Sequence, residues 1–304
     1  HAEREAIVAA LNGVLGDHLA ATDNPLATTM AFRHAGRPLL LDRFALRSRL
    51  PGATPRPLVL LHGLCMNDLQ WQREGHDHGA ALAREAGFTP VYLHYNSGLS
   101  VSTNGRILAQ QMERLFDAWP VPIERLALLG HSMGGLVARS ALHHAALIAR
   151  GGLRWPARVT ELVCLGTPHQ GALLESVGHM VDVVLGATPY AAPLARIGQV
   201  RSAGINDLRH GNIVSSRGDD VTTVDLPTGM RCFAAAGSLG ATSNDATAGD
   251  GLVSITSALG QHRQPARRLK FAPENQAVVA RTGHLDLLSS PEVFAVLRGW
   301  LTAA

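Results

Sequence analysis

One short stretch carries the residues best placed for covalent chemistry. Gly130-His131-Ser132-Met133-Gly134 fits the pattern G-x-S-x-G. LALLG before it reads as a strand, and GGLVARSALHHAAL after it reads as a helix, which is the context that gives the pattern its meaning. A sharp strand-to-helix turn forces the serine into a strained backbone conformation and brings neighbouring chains close, so the positions around it must lack a Cβ. The Ser132 hydroxyl would then stand above the sheet at the amino end of a helix, where the dipole favours a developing negative charge. The bland alternative is a small residue in a tight turn, and a chance match would need neither the strand nor the helix. His131, directly beside the serine, reads as packing because its side chain points elsewhere in such a turn.

A serine hydroxyl is a weak nucleophile at neutral pH. It needs a base within hydrogen-bond reach and a carboxylate that holds the base in the right tautomer. The chain offers 15 histidines as bases, too many for composition to choose among.

The order HG near residue 62, GHSMGG near 132, LGTPHQG near 165, DGLV near 250 and GHLDLL near 284 resembles the α/β-hydrolase superfamily, in its bacterial lipase and esterase branch, over roughly residues 55–302. The resemblance implies a base after the last strand and before the final helix, a description that His284 meets in AVVARTGHLDLLSSPEVFAVLRGWL. His169 in the TPHQG turn and His262 in a polar loop are its rivals. It implies an acid after the preceding strand, which is Asp250 in AGDGLVSITSAL, with Asp245 as the nearest competitor. It implies an oxyanion hole of two backbone N–H groups, those of Met133 and of Leu64, the latter directly after His62-Gly63.

In this scheme His284 takes the Ser132 proton during attack on an ester carbonyl and returns it to the leaving alcohol, while Asp250 stabilises the imidazolium. Many lipases of that branch also hold calcium and a disulfide near the acid and base. Asp286 matches one calcium ligand, yet no partner for it stands out, and Thr256 occupies the position of the expected cysteine. No metal and no cofactor are expected.

The same three residues would serve an esterase or lipase with apolar acyl preference, a thioesterase, a polyester depolymerase, an amidase or a lipid deacylase, since fold and triad do not separate these. A dehalogenase would need a carboxylate where Ser132 stands. A hydrolase-fold protein that binds without catalysis is the alternative from another class, and it would have no physical need for all three groups.

The elements that must position these residues alternate along the chain. Strands are expected at Pro57–His62, Pro90–Tyr95, Leu126–Gly130, Glu161–Leu165, Met230–Ala236 and Ala277–Arg281. Helices are expected at Asn104–Trp119, Met133–Arg150 and Pro291–Leu301, the last with Ser290 as N-cap and Pro291 at its first position. This alternation predicts an α/β fold with a mostly parallel sheet flanked by helices, and ligands bind at the carboxyl ends of such strands. An alanine-rich helix is expected at the N-terminus, and Met30–Arg47 reads as two antiparallel strands around Gly36.

Between about residues 170 and 228 the alternation lapses. There Leu173, Leu174, Val177, Met180, Val181, Val184 and Leu185 recur at helical spacing, which is expected to form a lid or cap inserted into a single domain of residues 1–304, or else an ordinary core helix.

Composition excludes several classes. A hydrophobic share of 46% with 17% charged residues suits a packed globular chain. The net charge of +3 is spread over arginines, with Lys270 the only lysine, and scattered arginines argue against nucleic acid as a partner. The apolar runs are too short for a membrane span, so the expected partner is a small-molecule or lipid ester, with transient lipid-surface contact through the lid. A soluble protein, cytoplasmic or secreted, is expected; the first residue is His1 rather than Met, which leaves the compartment and any leader open. Oligomeric state stays open as well. Cys65, Cys164 and Cys232 lie far apart without metal-binding spacing, and one disulfide is conceivable among them.

Overall fold

The computed structural model describes residues 2–148, 152–172, 202–215, 223–242 and 249–302. Its strands are β1 (Ala31–His34), β2 (Arg37–Pro38), β3 (Pro57–Leu61), β4 (Thr89–His94), β5 (Leu126–His131), β6 (Val159–Leu165), β7 (Arg231–Ser238) and β8 (Gln276–Ala280). They form one sheet in the order β2-β1-β4-β3-β5-β6-β7-β8. From β4 through β8 all neighbours pair in parallel, whereas β1 pairs antiparallel with both β2 and β4. Every residue of β3 and of β5 is buried. Such two-sided burial explains why these strands read as unbroken apolar runs rather than as alternation.

The described helices are α1 (Ala2–Ala21), α2 (Arg43–Arg49), α3 (His78–Ala86), α4 (Val101–Ala118), α5 (Met133–Ile148), α6 (Ala203–His210), α7 (Ile255–Ala258) and α8 (Pro291–Thr302). α4 begins earlier than its apolar pattern suggests, because the Ser100 side chain accepts from Thr103 N and caps it. α4 and α5 pack against each other, and the apolar side chains of the sheet and these helices make one continuous core. Among the described residues, no helix is long and apolar enough to cross a membrane.

The expected hairpin over Met30–Arg47 needs correction. Its second strand ends at Pro38, and Arg43–Arg49 is helical. Asp42 decides this locally: its carboxylate accepts from Phe44 N and Ala45 N, satisfying two N–H groups that a strand would have aimed at a neighbour. The apolar helix expected around residues 173–185 lies outside the described residues. All three cysteines are free and buried, so the conceivable disulfide is not formed.

Two helices lie against loops at the carboxyl edge of the sheet. α1 packs so closely on the loop after β3 that a Cβ at Gly13 would collide with Cys65, and one at Gly16 would collide with the Asn96 side chain. α6 is tied to α1, since Ser202 Oγ donates to Gly13 O at 2.7 Å and Ala203 N to Asp17 Oδ2 at 2.9 Å.

Candidate active site

Ser132 sits at the end of β5 with φ of +54°, a left-handed backbone that a non-glycine residue adopts only under constraint. The constraint is visible. Its N–H donates to Leu165 O at 2.8 Å, fixing the turn to β6, and α5 starts at the next residue. A Cβ at Gly134 would run into the Leu61 carbonyl oxygen, and one at Gly130 into the backbone of Gly135. The turn closes only because both side chains are missing.

His284 and Asp250, far apart in the chain, meet beside this turn. His284 Nδ1 donates to Asp250 Oδ2 at 2.7 Å, and His284 N donates to Asp250 O at 3.0 Å. Asp250 Oδ1 accepts from Leu252 N at 2.9 Å and Val253 N at 2.7 Å, so both carboxylate oxygens are committed. With its Nδ1 proton donated to Asp250, neutral His284 presents an unprotonated Nε2. That atom and Ser132 Oγ are both buried, and neither has a hydrogen-bond partner among the described residues. They are the two atoms a hydroxyl-to-imidazole proton transfer would join, and such bonds are often loose until substrate binds.

The ring of His131 bridges the two halves of the site. Its centroid lies 4.8 Å from that of His284, and its Nε2 donates to His284 O at 3.0 Å. Burial, helped by the neighbouring His284, pushes its pKa well below the ordinary imidazole value, so it acts as a neutral donor. His78 does the same one turn on, with Nε2 donating to Leu287 O at 3.0 Å; burial pushes its pKa down to about 4. His131 was read as packing alone. His78 carried no sequence signal.

The loop after β3 holds Leu64 in place from several sides. His62 donates Nδ1–H to Gly63 O at 2.8 Å, and its ring stacks on Tyr95 at 4.2 Å. Burial pushes the His62 pKa down to about 3. Tyr95 Oη donates to His62 O at 2.7 Å. Cys65 takes a φ of +59°, and its N–H donates to Ser97 Oγ at 3.0 Å. Leu64 N makes no hydrogen bond among the described residues. Met133 N opens α5 and so has no intrahelical acceptor. A Cβ at Gly63 would stand 3.1 Å from Ser132 Cβ, which shows how closely the loop and the serine approach.

The family of the PGAP1-like alpha/beta domain matches residues 53–233, more than half of the chain. The chain belongs to this family. Within that match lie Ser132, Leu64 and Met133, whereas Asp250 and His284 stand beyond its end. Among solved structures, the mature form of lipase BlEst2 from Bacillus licheniformis shares 20% identity at a TM-score of 0.55, covering 81% of this chain and 92% of that one. Its propeptide form shares 21% identity at a TM-score of 0.55, covering 84% of this chain and 51% of that one. What this lipase shares with the PGAP1-like chain is the α/β-hydrolase fold. No curated protein matches.

The remaining candidates of this PGAP1-like domain fall elsewhere. His169 is buried, and its Nδ1 accepts from Arg139 Nη1 at 3.2 Å. Burial, reinforced by Arg139, pushes its pKa well down. His262 Nδ1 accepts from Gln264 N at 3.0 Å, away from the serine turn. Asp245 lies outside the described residues. Asp286 Oδ2 accepts from Gly283 N at 2.9 Å and braces the His284 turn, while Thr256 Oγ1 pairs with Ser254 Oγ at 3.2 Å.

Proposed function

We propose that the chain is a serine carboxylic-ester hydrolase, an esterase or lipase, with Ser132 as nucleophile, His284 as general base and Asp250 as its orienting acid. The observation that carries this reading is the His284–Asp250 hydrogen bond at 2.7 Å beside a serine held at positive φ, with Ser132 Oγ and His284 Nε2 both buried and, among the described residues, unpartnered.

In the first half-reaction the Ser132 oxygen attacks the ester carbonyl as its proton passes to His284 Nε2. Asp250 stabilises the imidazolium without taking the proton itself. The N–H groups of Leu64 and Met133 receive the negative charge on the former carbonyl oxygen, aided by the amino end of α5. His284 then protonates the leaving alcohol, and a water deprotonated by the same imidazole cleaves the acyl-enzyme.

The substrate in this reading is a small-molecule or lipid ester with an apolar acyl chain, and residues 170–228 are an insertion that serves as a lid within one domain. Hydrolysis of 4-nitrophenyl acetate, butyrate and palmitate by the protein and by Ser132→Ala tests it. The expected result is turnover that rises with acyl length up to an optimum and falls to background in the variant. Equal background rates for both proteins would leave a binding protein instead.

A further inference from the structure

A cavity of about 1060 Å³ lies between the loop after β6, the last turn of α6 and the segment that follows Asp250. Arg209, Arg263, Arg268 and His262 line it, with Leu252 and Gln170 among its other walls, and no aspartate or glutamate lines it among the described residues. Arg209 is more than fifty residues from the other two in the chain, so this convergence exists only in the fold.

The walls are braced. Gln170 Nε2 donates to Arg267 O at 2.6 Å, and Gln170 N donates to Ser257 Oγ at 3.1 Å, tying the arginine-bearing segment to the loop after β6. Arg268 spends Nε on His262 O at 2.6 Å and Nη2 on Arg263 O at 3.4 Å, which fixes its guanidinium plane; among the described residues its Nη1 has no partner. Among the described residues, the Arg209 and Arg263 side chains have neither a hydrogen bond nor a carboxylate. Guanidinium groups gathered with no counter-charge among the described residues repel one another. An oxyanion relieves that repulsion while accepting their forked donors.

We propose that this cavity binds an oxyanion, a phosphate or carboxylate, and that the oxyanion is a second, charged end of the ester substrate. The second half rests on the hydrolase reading above. Position supports it: the wall residue Leu252 donates its N–H to Asp250 Oδ1 at 2.9 Å, so the cavity adjoins the loop that carries the acid, while Ser132 and His284 themselves do not line it.

Two measurements separate the parts. Calorimetric titration with pyrophosphate reads the site without any catalysis. The wild-type protein binds it, and the triple variant Arg209→Gln, Arg263→Gln, Arg268→Gln binds at least about tenfold more weakly, with the difference shrinking as salt screens it. Equal binding by both proteins, or none by the wild type, overturns the site. Arg263→Gln alone, at an exposed position, replaces the triple variant if that one fails to fold.

The second measurement compares mono-4-nitrophenyl esters of glutarate, suberate and dodecanedioate with 4-nitrophenyl valerate, octanoate and laurate. A lower KM for the acidic ester at one length, lost in the variant while the neutral esters are unaffected, places the oxyanion on the substrate. Pyrophosphate binding without such a preference overturns the substrate assignment and makes the ligand a free oxyanion. Failure to cleave any ester refutes the hydrolase reading and leaves the titration result standing.

Discussion

Asp250 holds His284 through two bonds of different kinds: its carboxylate Oδ2 accepts from the ring Nδ1 at 2.7 Å, and its backbone oxygen accepts from His284 N at 3.0 Å. The first fixes the tautomer, and the second fixes the loop. Asp250→Asn keeps the second but turns the acceptor into a group that can donate, which favours the wrong tautomer. The expected loss in kcat for a chromogenic ester is about 1,000 to 10,000-fold with little change in KM. Retention of more than a tenth of the wild-type kcat would assign the acid elsewhere, with Asp245 next in line.

Ser97 braces the loop that carries Leu64, one of the two proposed oxyanion donors. Its Oγ accepts from Cys65 N, the amide one residue beyond Leu64. Ser97→Ala leaves that buried N–H unpaired, which loosens the loop and costs about 1–3 kcal/mol of stability. Steady-state kinetics should show kcat about tenfold lower at unchanged KM, below the loss from removing an oxyanion donor outright. Ser97→Thr restores the acceptor and should restore kcat. A rise in KM alone would mean that Ser97 shapes the pocket instead.

His78, at the start of α3, is one of the buried histidines that make the fold sensitive to acid. Its pKa is pushed down by burial from 6.5 to about 4, so the folded protein prefers the neutral ring. The unfolded chain binds the proton more readily, and the stability from the neutral ring is full above pH 6.5. It is lost progressively as the pH falls from there to about 4, a loss on the order of 3 kcal/mol. Thermal unfolding across that range should show a melting temperature falling with pH, and His78→Asn should flatten the fall. Parallel curves for the two proteins would contradict the account.

Gly134 tests the elbow mechanically. A Cβ there meets the Leu61 carbonyl oxygen, a backbone atom that cannot swing aside. Gly134→Ala should destabilise the fold by about 2–4 kcal/mol and abolish turnover even at temperatures where it stays folded. Wild-type stability in this variant would mean that the turn is looser than its geometry indicates.

What could be read from residue types was whatever short-range physics decides. The strands β3 to β8 and helices α4, α5 and α8 follow from apolar runs, caps and periodicity, and their expected bounds differ from the structure by a few residues. The helix α2 was hidden because the cap that creates it is one carboxylate, Asp42, inside a stretch that alternates like a hairpin. The N-terminal helix was legible as a helix. Its contact with Cys65 was not, because Gly13 reads as a weak point in a helix until the loop that needs the space is in view. Ser97 and His78 left no trace for a related reason: each matters through a partner that only the fold brings close. Arg209 likewise meets Arg263 and Arg268 around one cavity only in the fold. Ser132 was legible because strand, turn and helix are contiguous, whereas Asp250 and His284 were readable only through resemblance.

The central claim is that the Ser132 oxygen becomes a nucleophile because His284 can take its proton. Labelling with a fluorophosphonate, followed by mass mapping of peptides, tests this most directly, since the reagent bonds to an activated serine without requiring the right ester. The account predicts one adduct, on Ser132, absent from Ser132→Ala and strongly slowed in His284→Ala. An unlabelled wild-type protein, or an adduct on any other residue, would contradict it.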